Sequence, residues 1–273
     1  MSVTFDFTGK NVFVVGGTSG INLGIAEAFA QWGASVAVAS RKQPKVDDAV
    51  AQLAAKGAKA FGTTFDAREY EQVKQGFDSV ANFFGAPIDI LISGAAGNIP
   101  ARVNSLSPNA IKSMISIDLI GTYNVMHASH EHLRKPGDSV INISAPQAYV
   151  PMSHQSAVCA AKAGIDMVTR TLAIEWGRDG IRINSISPGG IEDTEGFDRL
   201  APSDDLKAKA VKSVPLGRVG LKKDIANAAA FLSSSAGEYV SGIVLPVDGG
   251  AAVGGSMAAD MAQVGEFIDA MSN

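Results

Sequence analysis

The sequence predicts an α/β fold: a doubly wound parallel sheet of about seven strands with helices on both faces. Three observations predict it. Short β-branched runs alternate with amphipathic helical stretches along the chain. The runs are apolar enough to be buried on both faces, as strands of a parallel sheet are. The first run leads directly into a glycine-rich turn that opens a helix.

Taken in order, residues 11–15 (NVFVV), 35–39 (SVAVA), 59–64, 88–92 (IDILI), 139–143 (SVINI), 181–186 (IRINSI) and 243–247 (IVLPV) read as strands. Helices are expected at about 22–32, 44–56, 69–84, 108–133, 153–178 and 222–234, one between each pair of successive strands. Strand and helix alternating in this way, joined by right-handed crossovers, give a doubly wound sheet. Internal repeats and linkers are absent from the sequence, so one dinucleotide-binding and catalytic domain is expected over 1–273. The irregular stretch 188–220, rich in Gly, Pro and charge, follows the sixth strand and is expected to act as a lid over about 190–220. The tail 251–273 carries Met261, Val264, Ile268 and Met271 at helical spacing and reads as a docking or subunit-contact helix, with a lid as the alternative.

With 46% apolar and 18% charged residues among 273, the chain has the means to bury a large core. A net charge of −4 argues against a general nucleic-acid or anionic-membrane surface, though not against a local basic pocket. The single cysteine, Cys159, has no internal partner and suits a reducing compartment. The opening MSVTFDFTGK is too polar for a signal peptide, and no apolar run is long enough to span a bilayer, so a cytoplasmic protein is expected. His127, His130 and His132 fall on one helix, but no further ligand type accompanies them, and a solvated face is expected rather than a metal site.

GGTSGIN, residues 16–22, follows the first strand and opens the first helix. Glycine admits a pyrophosphate close to the backbone, and a helix N-terminus offers free N–H groups and a positive dipole end. Gly16, Thr18, Ser19, Gly20, Ile21 and Asn22 are therefore candidate cofactor contacts. Asn22 stands where a third glycine is usual, and a modified turn is expected from its tolerance of unusual backbone angles. The second strand ends in Ser40-Arg41 rather than in a carboxylate, so nothing repels a 2′-phosphate and a guanidinium is available to clamp it. NADPH is accordingly expected over NADH. Asp66, after the third strand, is either an acceptor for the adenine amino group or a plain turn residue.

Over about residues 8–250 the sequence resembles the short-chain dehydrogenase/reductase family. The stretches that carry the resemblance are GGTSGI at 16–21, SGAAGN at 93–98, the lysine of CAAKAG, SPGG at 187–190 and VDGG at 247–250. In that family a serine, a tyrosine, a lysine and an asparagine run carbonyl chemistry. Here the tyrosine position is Val158, the serine position is Ala145 and the asparagine position is Asp118; only Lys162 remains. Ser144 is one residue from the serine position and on a strand points to the opposite face. A branch of the family, the 2,4-dienoyl-CoA reductases, also lacks that tyrosine. The sequence is similar to its peroxisomal type through AAGN at 95–98, LSPNAIK at 106–112, IDLIGTYNV at 117–125, AAKAGIDMVTRTLAIEWG at 160–177 and PGGIEDTEGFDRL at 188–200. The mitochondrial type carries a further tyrosine at the position of Gln147, whereas the peroxisomal type uses an aspartate at the position of Asp118.

The resemblance implies NADPH-dependent reduction of an unsaturated acyl thioester, 2,4-dienoyl-CoA to 3-enoyl-CoA, in fatty-acid β-oxidation, by a homotetramer joined through its long helices. It implies that Lys162 binds the nicotinamide ribose, that Asp118 holds or donates through a water, and that Asn98 meets the thioester carbonyl. It also implies that Ala95, Pro188, Gly189, Ile191 and Thr194 line the cofactor. Tyr149 is either a rim aromatic or an alternative proton donor. Lys207, Lys209, Lys212, Arg218, Lys222 and Lys223 are either solvated helix faces or contacts for CoA phosphates. Two other readings stand beside this one: a carbonyl reductase with an unusual proton relay, and a catalytically silent NADP(H)-binding protein.

Overall fold

The structure is a computed structural model that describes residues 4–254. Its sheet has seven parallel strands, β1 (Asn11–Val15), β2 (Ser35–Ser40), β3 (Ala60–Thr64), β4 (Ile90–Ser93), β5 (Asp138–Ile143), β6 (Ile181–Pro188) and β7 (Val244–Val247), in the order β3-β2-β1-β4-β5-β6-β7. Every expected strand is present, displaced by two residues at most. The order reverses between β1 and β4, which pair through Val15 and Ser93 at their ends. A reversal of this kind leaves a crevice at the carboxyl ends of the strands.

Side chains alternate across β1, and that alternation divides the core. Val12 and Val14 face α1 (Gly20–Gln31), α2 (Gln43–Ala55) and α9 (Lys222–Ser233), against Ile25, Phe29, Leu53 and Ile225. Phe13 and Val15 face α3 (Tyr70–Phe84), α5 (Gly121–Ser129) and α6 (Ser156–Glu175), against Phe77, Val80, Met126 and Val168. Each such large side chain contributes about 1.5–3 kcal/mol by leaving water, so both faces of the sheet that carries the crevice are packed.

Four helical expectations are corrected. The helix expected at 108–133 begins as α4 (Pro108–Ile115), passes through one π turn at Ser116–Ile120 and ends as α5. The helix expected at 153–178 is shorter at both ends. His154 lies at φ +65°, outside helical space, and Gly180 in the left-handed region ends a short 3-10 turn that follows α6. The stretch 190–220 is not irregular throughout: it holds α7 (Glu195–Leu200) and α8 (Asp204–Lys212), whose first N–H groups bond to the hydroxyls of Thr194 and Ser203. Ile191 and Gly220 form a bridge that ties the two ends of this stretch together. Asn22 is an ordinary helical residue of α1, not part of a modified turn. Met261, Val264, Ile268 and Met271 of the expected tail helix lie outside the described residues.

At the amino ends of the strands, opposite the crevice, two carboxyl groups are buried together. Asp89 is bonded by Lys10, Arg134 and the Asn11 amide. Neither oxygen of Asp138 has a partner, and burial, followed by the charge of Asp89, raises its carboxyl well above the usual range. A carboxyl whose pKa is raised on folding takes up a proton, so its favourable contribution is complete below the unfolded pKa of about 4 and is lost as pH rises. Asp138→Asn should therefore flatten the pH dependence of stability, the gap to the native protein widening in favour of the variant as pH rises. Thermal melts from about pH 5 to about pH 8 measure this; parallel curves would show that Asp138 does not titrate as described.

Candidate active site

The glycine turn lies over the β1–β4 reversal. Gly16 has φ +77°, and a Cβ there would stand 3.0 Å from the Gly94 carbonyl oxygen, so the turn and the loop after β4 touch backbone to backbone. Ser19 precedes α1 without closing a side-chain cap, which leaves the first N–H groups of the helix free for an anion. Asn22 supplies what a third glycine would not: its Nδ2 donates to the Gly94 carbonyl at 2.9 Å, fastening the two loops. Gly20 lies below Thr194, whose hydroxyl is engaged by Ile191 O and Phe197 N. Ala95 follows Gly94. Pro188 ends β6, and Gly189 donates to Val247 O at 3.1 Å, so this part of the lining is fixed by the last strand. Thr18 in the turn and Ile21 in the first turn of α1 are half-buried.

Beyond the turn, Arg41 and Asp66 line a cleft of about 220 Å³ with Thr64, Phe65 and Gln72, and Ser40 ends the strand beside it. Arg68 grips Asp66 with Nε and Nη2 and holds its carboxyl below the usual range. Asp66 thus remains an anion and an acceptor. Arg41 has no ion-pair partner among the described residues.

Lys162 and Asp118 meet at the other end of the crevice. Both are buried, at 5% and 1% exposure. Lys162 Nζ donates to Ile143 O at 2.9 Å and stands 3.8 Å from Asp118 Oδ2. Asp118 Oδ1 accepts from the Gly97 amide at 2.7 Å, while Oδ2 has no hydrogen-bond partner. Burial raises the Asp118 carboxyl above its usual range, and the Lys162 charge, then the Gly97 bond, draw it back. Two local features bring the pair together. The π turn adds a residue to its helical turn and swings Asp118 round toward α6. Gly164 lets α6 close on that turn, since a Cβ there would stand 2.9 Å from Leu119 Cδ1.

The positions that hold hydroxyls in the resembled family carry none. Val158 is buried in a small apolar cluster with Met114 and Ala157. Ala145 is extended and half-buried, and Ser144 is turned toward the buried Asp166 on α6, as strand alternation requires. Tyr149 is bonded to Ser187 at 3.0 Å, and burial raises its phenol above the usual range, so it is a poorer acid than a free tyrosine. Amides occupy the neighbouring space instead. Asn98 Nδ2 and Gln147 Nε2 each donate to Gln155 Oε1 at 3.0 Å. Arg199 of α7 donates to the Asn98 carbonyl at 2.8 Å and bonds Glu195, tying the 190–220 stretch to this wall. Gln155 and Arg199 are not sequence candidates: Arg199 falls within the 188–200 stretch, but only the fold brings either side chain to Asn98.

The remaining candidates lie elsewhere. His127 bonds Tyr70, His130 bonds Asp179 and His132 contacts Asp78, so these rings are paired rather than simply solvated. Among the described residues no group of three His, Cys, Asp or Glu side chains could hold a metal. Lys207 is paired with Asp198 and Arg218 with Asp224, leaving Lys209, Lys212, Lys222 and Lys223 without ion partners among the described residues.

A family model described as Enoyl-(acyl carrier protein) reductase matches residues 15–252. The chain is 41% identical over 252 residues to the peroxisomal 2,4-dienoyl-CoA reductase of Arabidopsis thaliana, covering 89% of this chain and 84% of the other. The chain belongs to the short-chain dehydrogenase/reductase family. A second relative, the Saccharomyces cerevisiae peroxisomal 2,4-dienoyl-CoA reductase, is 41% identical over 248 residues, covering 89% and 84% of the two chains. Among solved short-chain dehydrogenase/reductase structures, a gluconate 5-dehydrogenase from Burkholderia cenocepacia, in complex with NADP and tartrate, superposes with a TM-score of 0.84 at 29% identity, over 91% of this chain and 97% of that one. A short chain dehydrogenase from Bacillus anthracis gives 0.79 at 33%, over 89% and 96%.

Two stability outcomes follow for this reductase fold. Asn22→Ala removes the donor to Gly94 O and should cost about 1 kcal/mol in urea unfolding; an unchanged midpoint would show that the two loops are held by something else. Val158→Tyr forces a ring into the Met114–Ala157 cluster and should cost about 1–3 kcal/mol, read as a lowered melting temperature.

Proposed function

We propose that the protein reduces a 2,4-dienoyl-CoA to the 3-enoyl-CoA with NADPH. The observation that carries this reading is the buried Asp118–Lys162 pair in a site whose usual hydroxyl positions are Ala145 and Val158. The names of the relatives at 40–41% identity support it. A nicotinamide dinucleotide fits the residues present: the Gly16 turn is shaped for close backbone approach, the α1 amides are uncapped, and Arg41 beside the Asp66 cleft supplies the charge a 2′-phosphate requires.

A dihydronicotinamide held by the Gly16 turn and Lys162 would supply a hydride to the far end of the conjugated diene. Charge then spreads along the chain to the thioester oxygen, and the residues need only hold that charge and deliver one proton to carbon. Asn98 donates to the oxygen. Lys162, with one N–H fixed on Ile143 O, keeps the others for the ribose hydroxyls and for Asp118. Asp118 orients a water toward the α-carbon. Burial raises its carboxyl, which makes Asp118 readier to share a proton than an exposed aspartate. The stretch 190–220, pinned at Ile191–Gly220 and bonded to Asn98 through Arg199, serves as the lid.

Assembly and location belong to the same reading. Ile120 and Tyr123, on the π turn and α5, and Met167 and Ile174 on α6 are exposed apolar side chains, which supports a helix-to-helix contact in a homotetramer. No helix among the described residues is long and apolar enough to cross a membrane. The lone Cys159 suits a reducing compartment such as the cytoplasm, whereas the relatives carry a peroxisomal name.

NADPH consumption with 2,4-hexadienoyl-CoA is the direct assay. Lys162→Ala should abolish turnover, and Asp118→Ala should slow it by roughly 10²–10⁴, the scale of a lost acid–base group. Nearly native kcat in Asp118→Ala would overturn its part in proton delivery, and tight NADPH binding without turnover would overturn the reading. Arg41→Ala should weaken NADPH binding by roughly tenfold to a hundredfold and leave NADH unaffected; equal loss for both cofactors would remove the 2′-phosphate contact.

A further inference from the structure

The reading above places one amide, Asn98, on the thioester oxygen, yet three carboxamides converge there. Gln155, buried just before α6, is their hub. Its orientation is fixed by chemistry. Gln155 Nε2 stands 3.6 Å from Met152 Sδ, and a thioether sulfur accepts but never donates. Oε1 is therefore the end that faces Asn98 and Gln147, and only N–H groups can meet it. Both neighbours must present their NH₂ ends to that point, each at 3.0 Å. The two nitrogens are then no more than ~6 Å apart, each one hydrogen bond from the shared oxygen.

An NH₂ group carries two N–H bonds. Asn98 and Gln147 each commit one to Gln155, which leaves each with one more. Asn98 Oδ1 makes no hydrogen bond, so the donor end of this amide is the one the protein holds. Ala145 and Val158 offer no donor nearby, and Tyr149 is tied to Ser187. We infer that Gln147 is a second catalytic donor, which together with Asn98 cradles the thioester oxygen as it gains negative charge. Gln155 is the positioning residue that stops either amide from turning its oxygen toward that charge. The inference rests on the dienoyl thioester reading. No covalent bond forms to either amide, and neither changes its protonation.

The test is steady-state reduction of 2,4-hexadienoyl-CoA by the native protein, Gln147→Leu and Gln147→Glu, with NADPH affinity and melting temperature measured alongside. Gln147→Leu should lower kcat by roughly 10- to 1000-fold, the range for one oxyanion donor, while NADPH affinity stays native. Gln147→Glu cannot donate when ionised and donates again once protonated, so its kcat should climb toward the native value as pH falls. Were the glutamine purely structural, Gln147→Leu would instead lower the melting temperature or NADPH affinity together with kcat, because its bond to Gln155 would be lost. Native kcat in Gln147→Leu, or a Gln147→Glu pH profile parallel to the native one, overturns the inference and leaves the dienoyl reading standing. A native protein that does not turn over the dienoyl-CoA overturns both.

Discussion

The pairing of Asp118 with Lys162 is the constraint to which the rest of the site is fitted. Removing a carboxylate and an ammonium from water costs several kcal/mol per ion, and good geometry is needed to recover it. Geometry here is incomplete: the ions stand 3.8 Å apart and Asp118 Oδ2 has no hydrogen bond. A pair selected for stability alone would be closer or replaced by apolar side chains. The fold instead accepts a π turn on one helix and a glycine on the facing one to bring them within reach. Energy not recovered within the protein is available to a third group placed between the two charges.

Around this pair, ionisable and hydroxylic donors give way to carboxamides. An amide donates at any ordinary pH and has no proton to lose, so it stabilises charge without supplying a proton. Such donors suit an acceptor whose negative charge is delocalised before any proton arrives. They suit a simple ketone less well, because the alkoxide formed there demands a proton at once. On the proposed reading the division of labour is spatial: amides on the Gln155 side serve the oxygen, and the Asp118–Lys162 side serves the carbon.

Much of the fold was legible because parallel strands are punctuated locally. β-branched runs bounded by glycine, proline or polar turns mark β1 to β7 within two residues, and their alternation with helices marks a doubly wound parallel sheet, though not the order of its strands. The π turn was not legible. Ser116–Ile120 has the apolar spacing of an ordinary helix, and nothing in its residue types marks the extra residue of the turn. α7 and α8 were missed in a stretch read by composition, although Thr194 and Ser203 ahead of acidic first turns mark their starts. In the site, Asp118, Lys162 and Asn98 came from motif positions, whereas the Gln155 hub depends on contacts between a loop after β4 and another after β5. Asn22 was noticed for the right position and the wrong reason: its backbone is ordinary, and its side chain does the bonding.

The bond from Asn22 to Gly94 makes two segments distant in sequence into one inheritable unit. A Cβ at position 94 would stand 2.3 Å from Asn22 Nδ2, so a larger residue there displaces the asparagine side chain from its bond. A chimera that imports the nucleotide turn of another reductase, with glycine at 22, would leave the Gly94 carbonyl without its donor. One that imports the β4 loop with a side chain at 94 would collide with the asparagine. The two segments must be exchanged together, and in the lineage of this chain substitutions at 22 and 94 are expected to have occurred as a pair.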